Sequence, residues 1–347
     1  MCYTKAVIIE AMMHGKFCDE SEYGGKHMNP YIGHENQIFG VEEVRLVGTK
    51  GDGLRLLLVR NGQGLEFTVS ADRCADIARL SVGGVNFGYF SPCGWVAPSH
   101  YDKDGLGFLK SFTAGFLTTC GLTNAGSPCV DGGEALPQHG TIGNTPAENI
   151  YYYIESNEIH IKATVRDAII FGYKLMLERE YTVPLDRNEL YITDKVSNIG
   201  SVPSPLMMLY HFNVGYPLLT EDAEVLIPSK AVNGADARAE ADKANCLNME
   251  KPQAGYEEMC FFHKLEGKAE ISVNNPRIGK GFTMSYDTAE LSQFCEWKMM
   301  GEHDYVLGVE PGTTTPIGRV RARDKGMLIT LNPGESKTNH IKFEFVG

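Results

Sequence analysis

The stretch Glu158-Ile159-His160-Ile161-Lys162-Ala163-Thr164-Val165-Arg166 alternates without a break, apolar at 159, 161, 163 and 165 and polar between. Successive side chains of a β-strand point to opposite faces, so this spacing sets one face on a core and the other in solvent. Residues 173–183 and 189–199 repeat the pattern, parted by the turn composition Pro184-Leu185-Asp186-Arg187-Asn188. Three such segments in succession predict half-buried antiparallel strands.

The same texture extends in both directions. Upstream, residues 38–47, 54–59 and 65–69 are short β-rich runs separated by Gly51-Asp52-Gly53 and Asn61-Gly62-Gln63-Gly64. Downstream, 223–227, 269–273, 281–286, 306–310, 327–331 and 339–346 are strand candidates. Asn332-Pro333-Gly334-Glu335 turns the chain before the last of them, where Ile341, Phe343 and Phe345 alternate against Lys342 and Glu344. Residues 104–112 suit a short helix, and 235–244 a small helix or a polar loop. Many strands, few helices and no linker or internal repeat predict an all-β fold, one large antiparallel β-sandwich over 1–347, with 1–35 as an arm packed on it. Residues 71–149 are rich in Gly, Pro, Ser and Thr and lack regular alternation. So long an irregular region in a compact fold is a place to expect functional residues.

Composition removes several function classes. With 44 acidic against 32 basic residues the net charge is -12, which repels a phosphate backbone and argues against a nucleic-acid partner. The first residues lack a basic stretch followed by an export-length apolar run, and no segment approaches a membrane span, so a cytoplasmic protein is expected. Nine cysteines without a C-x-x-C pair read as reduced, packed thiols rather than a disulfide or metal framework. The sequence carries no signal for oligomeric state.

Four polar residues interrupt apolar or Gly-rich surroundings. His211 follows the apolar run Leu206-Met207-Met208-Leu209, with Asn213 two residues on and so on the same face of a strand. Glu310 closes the run 305–309 and is followed by Pro311, which cannot donate to a ladder and so marks a rigid strand end. His139 precedes Gly140, where backbone can approach a ligand closely. Arg73 lies in Ser70-Ala71-Asp72-Arg73-Cys74-Ala75-Asp76-Ile77. Each also has a structural reading: His211 as a hydrogen-bonded core histidine, Glu310 as a rim residue, His139 as a solvated loop residue, Arg73 paired with Asp72 or Asp76 in a solvated turn.

Other motifs carry less. Gly105-Leu106-Gly107 lacks a preceding strand and a third glycine, no phosphate-binding Gly-Lys-Ser/Thr occurs, and Ser111 and Ser127 sit in no nucleophile elbow. Glu302-His303-Asp304 and His34-Glu35 have metal-ligating chemistry at a spacing that fits no zinc pattern.

Taken in order, Ser70 to Ile77, Thr119-Cys120-Gly121-Leu122-Thr123-Asn124-Ala125-Gly126, His139-Gly140, His211-Phe212-Asn213 and Gly308-Val309-Glu310-Pro311 resemble the galactose mutarotase-like (aldose 1-epimerase) superfamily, and within it the DUF4432 branch. The likeness runs from about residue 31 to the end. It implies a β-supersandwich that binds a small carbohydrate, with Glu310 as base, His211 as acid, and His139 and Arg73 as binding residues. No cofactor and no metal is implied. Glu296-Trp297-Lys298 fits the branch, with Trp297 suited to stacking on a sugar and Lys298 to an acidic group, while core packing and solvation explain both equally. An ionised Glu310 beside a protonated His211 is expected to favour each other's charge. Around His139 the run Gln138-His139-Gly140-Thr141 departs from the His-Gly-Gly-like pattern of the better-known enzymes, which leaves open whether the substrate is a free sugar or a sugar acid. Two alternatives stand beside a mutarotase: a non-catalytic carbohydrate-binding or sensor protein, and a sugar epimerase or isomerase acting away from C1.

Overall fold

The computed structural model describes residues 29–347. The arm expected over 1–35 lies, through residue 28, outside the described residues. Glu158–Ala168 is a strand of eleven residues with Ile159, Ile161, Ala163 and Val165 all buried, as its alternation requires. It belongs to an eight-stranded sheet, in spatial order Asn149–Glu155, Glu158–Ala168, Lys174–Pro184, Glu189–Asn198, Ser336–Val346, Lys280–Asp287, Lys268–Asn275 and Glu224–Leu226. Every neighbouring pair is antiparallel.

The second large sheet carries the candidate site. Its order is Ala231–Gly234, Met259–Lys264, Gln293–Met300, Tyr305–Gly312, Ser204–Val214 and Ile329–Leu331, with Leu117–Leu122 also paired to Ser204–Val214. Between the two sheets one cluster of buried apolar side chains runs from Phe39 to Phe345. Phe343 packs edge-on against Phe212 and Phe116, with ring centroids 4.8 and 5.3 Å away. A third sheet of five strands covers residues 40–86.

Ser204–Val214 shows why its run is apolar on both faces. Leu206, Met208, Tyr210, Phe212 and Val214 enter the main core, whereas Met207 and Leu209 form a small cluster with Cys120, Ala125 and Ala322 on the other face. His211 also points to that second face, and Leu117–Leu122 pairs along the strand's edge; every residue of the strand except the half-buried Pro205 is buried.

Three expectations need correction. The irregular stretch 71–149 contains the strands Asp76–Val82 and Leu117–Leu122; all six residues of the latter are buried, so no polar face alternates to reveal it. Residues 104–112 give only the 3-10 turn Gly107–Lys110. The strand expected to close at Glu310 runs on through Pro311 to Gly312. Lacking an N–H, Pro311 opens a gap in the ladder to Ser204–Val214, which passes from Val309 directly to Gly312. The small helix near 235–244 forms over Ala237–Asp242, capped by Asp236, whose side chain accepts from the Ala239 N–H at 2.8 Å. Among the described residues no helix is long and apolar enough to cross a membrane.

Candidate active site

Register brings the two principal residues together. Leu209 faces Gly312 and Phe212 faces Val309, so His211 and Glu310 stand opposite each other on adjacent strands and project from the same face. His211 Nε2 lies 3.2 Å from Glu310 Oε1, and both side chains are buried. The contact is close without hydrogen-bond geometry, because Glu310 Oε1 has no hydrogen-bond partner. His211 Nδ1 and Asn213 Oδ1 are likewise buried without one, while the Asn213 amide donates to the His211 carbonyl at 2.8 Å.

Gly308 makes the room for this carboxyl group. A Cβ there would lie 2.4 Å from Glu310 Oε1 and 2.9 Å from the Trp297 Cβ, so only glycine lets the carboxyl fold back over the strand. Cys295 stands opposite Glu310 on the next strand, with its thiol on the same face as the carboxyl.

Aromatic rings enclose the pair. Phe112 and Trp297 both meet the His211 ring at 5.2 Å between centroids, and His139 meets it at 5.5 Å. His139 has a left-handed backbone, φ 57°, and its Nδ1 accepts from the Gly126 N–H at 3.3 Å. Its remaining nitrogen is then the N–H, a hydrogen-bond donor. Outside Phe112 and Trp297 lies a cavity of about 460 Å³, also lined by Tyr89, Cys93, Glu258 and Asp304. That volume falls within the roughly 300–1,000 Å³ typical of small-molecule sites. The Trp297 indole donates to Glu258 at 2.6 Å, which fixes the ring between cavity and histidine.

Burial sets the proton positions. It pushes Glu310 well above the usual carboxylate range, the negative charge of Glu258 adds to this, and the Cys295 thiol opposes it. It holds His211 well below the usual imidazole range, helped by His139 and opposed by Asn213. His139 is lowered to about 4 by the same desolvation. Against the charged pair expected from sequence, burial favours the protonated form of Glu310 and the neutral form of His211.

Arg73 and Lys298 lie apart from this set. Arg73 is buried, not in a solvated turn, and donates to the Val96 carbonyl at 2.9 Å. Asp72 pairs instead with Arg55, and Asp76 with Arg179. Burial lowers Arg73 to about 10. It lines a narrow cleft with Thr118, the residue opposite His211, and so approaches the site from one side. Lys298 does not reach it. Neighbouring side chains on a strand alternate, so Lys298 faces away from Trp297 and is buried against Glu250 Oε1 and the Asn245 carbonyl, each at 3.2 Å.

Sequence reading passed over Phe112, Gly308, Glu258 and Cys295. Of these only Gly308 left a signal, an isolated glycine inside a β-rich run.

The sequence profile of one family, described as a domain of unknown function, matches residues 51–345. The chain belongs to the DUF4432 family. Among solved structures, this DUF4432 protein is similar to a candidate aldose 1-epimerase from Klebsiella pneumoniae, with 25% identity, 90% of this chain and 86% of that one covered, and a TM-score of 0.85. A galactose mutarotase-like protein from Clostridium acetobutylicum matches at 17% identity over 89% and 99% of the two chains, TM-score 0.64. A galactose 1-epimerase from Lactobacillus acidophilus matches at 15% identity over 89% and 99%, TM-score 0.61. The last two show the fold alone: the sandwich is of the galactose mutarotase-like kind. A comparison with curated protein sequences finds no match.

Proposed function

We propose that this protein is a cofactor-independent isomerase of the aldose 1-epimerase type, which interconverts the anomers of a free sugar by general acid/base ring opening. The observation that carries the reading is the opposed pair His211 and Glu310, 3.2 Å apart and buried beneath Phe112 and Trp297. Opening a hemiacetal removes a proton from the anomeric hydroxyl and delivers one to the ring oxygen. Both oxygens are bonded to the same carbon, so acid and base must converge on one small volume.

Glu310 is the base and His211 the acid. Once the ring has opened, Glu310 holds a proton and His211 is neutral, which is the distribution that burial favours in the unliganded site. A cyclic sugar entering between the two supplies polar partners for Glu310 Oε1 and His211 Nδ1 and so restores the charged pair from which opening starts. The open chain rotates about C1–C2, and the same two transfers in reverse close the other anomer.

His139 donates its N–H to a sugar oxygen, Asn213 Oδ1 accepts from a hydroxyl, and Trp297 offers a face for stacking. Arg73 binds from the side cleft. With Lys298 turned away and the carboxylates of Glu258 and Asp304 on the cavity wall, the site suits a neutral sugar better than a sugar acid. Admission of the sugar requires Phe112 to move away from Trp297, whose indole Glu258 holds.

The test adds protein to a freshly dissolved single anomer and follows optical rotation or NMR exchange across a broad panel of sugars. The reading predicts that at least one sugar equilibrates faster with the native protein than with Glu310→Gln. Equal rates for every sugar, or saturable binding with no turnover, would end it.

A further inference from the structure

A second cluster of chemistry-bearing side chains lies away from the sugar site. Cys246, His263 and Glu296 are all buried, and one potential ligand atom from each falls within 4.8 Å of the other two. They come from three separate places: the turn after the short helix Ala237–Asp242, the strand Met259–Lys264 and the strand Gln293–Met300. His263 and Glu296 share the face of their sheet that carries Phe261 and Phe294, whereas Trp297 and Glu310 project from the opposite face. The cluster is therefore separated from the His211–Glu310 pair by the thickness of the sheet.

Its details suit a cation better than a closed hydrogen-bond network. Glu296 is fully buried, and its Oε1 has no hydrogen-bond partner although Oε2 lies 2.9 Å from His263 Nε2. A buried carboxylate oxygen left without a partner costs free energy that a bound cation would recover. On the far side of the imidazole, Nδ1 lies 2.6 Å from Ser229 Oγ. Metal-binding histidines characteristically have their second nitrogen held in this way. The charges also balance: a divalent ion with a Cys246 thiolate, the Glu296 carboxylate and a neutral imidazole sums to zero, and the adjacent Lys298 is already paired with Glu250.

We propose that Cys246, His263 and Glu296 bind one zinc-class divalent cation as a structural site. Sulfur, nitrogen and carboxylate donors together select zinc over the hard, all-oxygen cations magnesium and calcium. Both Glu296 oxygens, with the sulfur and the nitrogen, make four donors. Binding displaces the Cys246 thiol proton to solvent as the Zn–S bond forms. The ion ties the segment around Cys246 to the strand that presents Cys295 and Trp297 to the sugar site from its other face.

The experiment uses protein produced with zinc in the medium, purified without chelator, dialysed and analysed by plasma mass spectrometry. About one zinc per chain is expected in the native protein, falling to roughly a tenth or less in Cys246→Ser and His263→Gln. Cobalt added to chelator-treated native protein should give a sulfur-to-metal charge-transfer band, and X-ray absorption of the native zinc form should show one sulfur among nitrogen and oxygen neighbours. The last two readings need no variant, so they decide the matter even if both substitutions unfold the chain. Native protein with neither zinc nor a cobalt band, a zinc shell without sulfur, or zinc retained by both variants would overturn the proposal. None of these readings depends on sugar turnover.

Discussion

His211 and Glu310 face each other across adjacent strands at 3.2 Å, and burial pushes the carboxyl toward its protonated form and the imidazole toward its neutral one. Glutamine reproduces the shape and neutrality of a protonated glutamate. Glu310→Gln should therefore change folding stability by less than about 1 kcal/mol, while anomer exchange falls by roughly 10²–10⁴-fold through loss of the base. Thermal melting and NMR exchange measure the two separately. A large fall in melting temperature would show that the fold holds Glu310 ionised.

The pH profile should report Glu258 as well. Its negative charge is one cause of the raised Glu310 pKa, and it accepts from the Trp297 indole. Glu258→Gln keeps an oxygen for the indole and removes the charge. Glu310 then ionises at lower pH, and because the base must be ionised to act, the acidic limb of kcat/KM moves to lower pH. An unmoved limb, or one shifted upward, contradicts this account of the Glu310 environment.

Gly308 gives a test of geometry with all the catalytic groups retained. In Gly308→Ala the new Cβ would sit 2.4 Å from Glu310 Oε1, so the carboxyl must rotate off its position opposite His211. Overpacking of this kind costs about 1–3 kcal/mol of stability, and displacing a base by about 1 Å costs on the order of 10²-fold in rate. The kcat should fall most, and because the same Cβ would sit 2.9 Å from the Trp297 Cβ a smaller rise in KM should accompany it, while His139 is untouched. Native kcat in this variant would place the working carboxylate position elsewhere.

Legibility in the sequence followed burial. Glu158–Ala168 could be read because one of its faces meets solvent and the other does not. Leu117–Leu122 could not, because it is buried on both faces and its two threonines, a cysteine and a glycine resemble a loop. At the site, His211 and Glu310 stood out as polar residues in apolar runs, whereas their shared proton state depends on enclosure by Phe112 and Trp297, which no local pattern encodes. Lys298 was misplaced for a simple reason: adjacency to Trp297 in a strand puts it on the opposite face. Cys246, His263 and Glu296 lie too far apart in sequence to show any ligand spacing.

Arg179 is the point where the two large sheets and the Arg73 turn are tied together. Fully buried in the strand Lys174–Pro184, it grips Asp194 with two hydrogen bonds at 2.9 and 2.7 Å, Asp76 at 2.6 Å, the Cys74 carbonyl at 3.2 Å and the Thr119 hydroxyl at 2.8 Å. Asp76 in turn accepts from the Thr119 N–H at 2.7 Å, which ties Leu117–Leu122, the ladder partner of the strand that carries His211, to the strand Asp76–Val82. Arg179→Met fills similar volume but leaves two buried carboxylates without their counter-charge, a loss of about 3–5 kcal/mol. Arg179→Lys should recover little, because one ammonium cannot reproduce the planar fork that binds Asp194 in two places while reaching Asp76 and Thr119. Urea unfolding of the three proteins checks this: a loss under about 1 kcal/mol in Arg179→Met would mean that water reaches the network and that the Arg73 turn is held by other contacts.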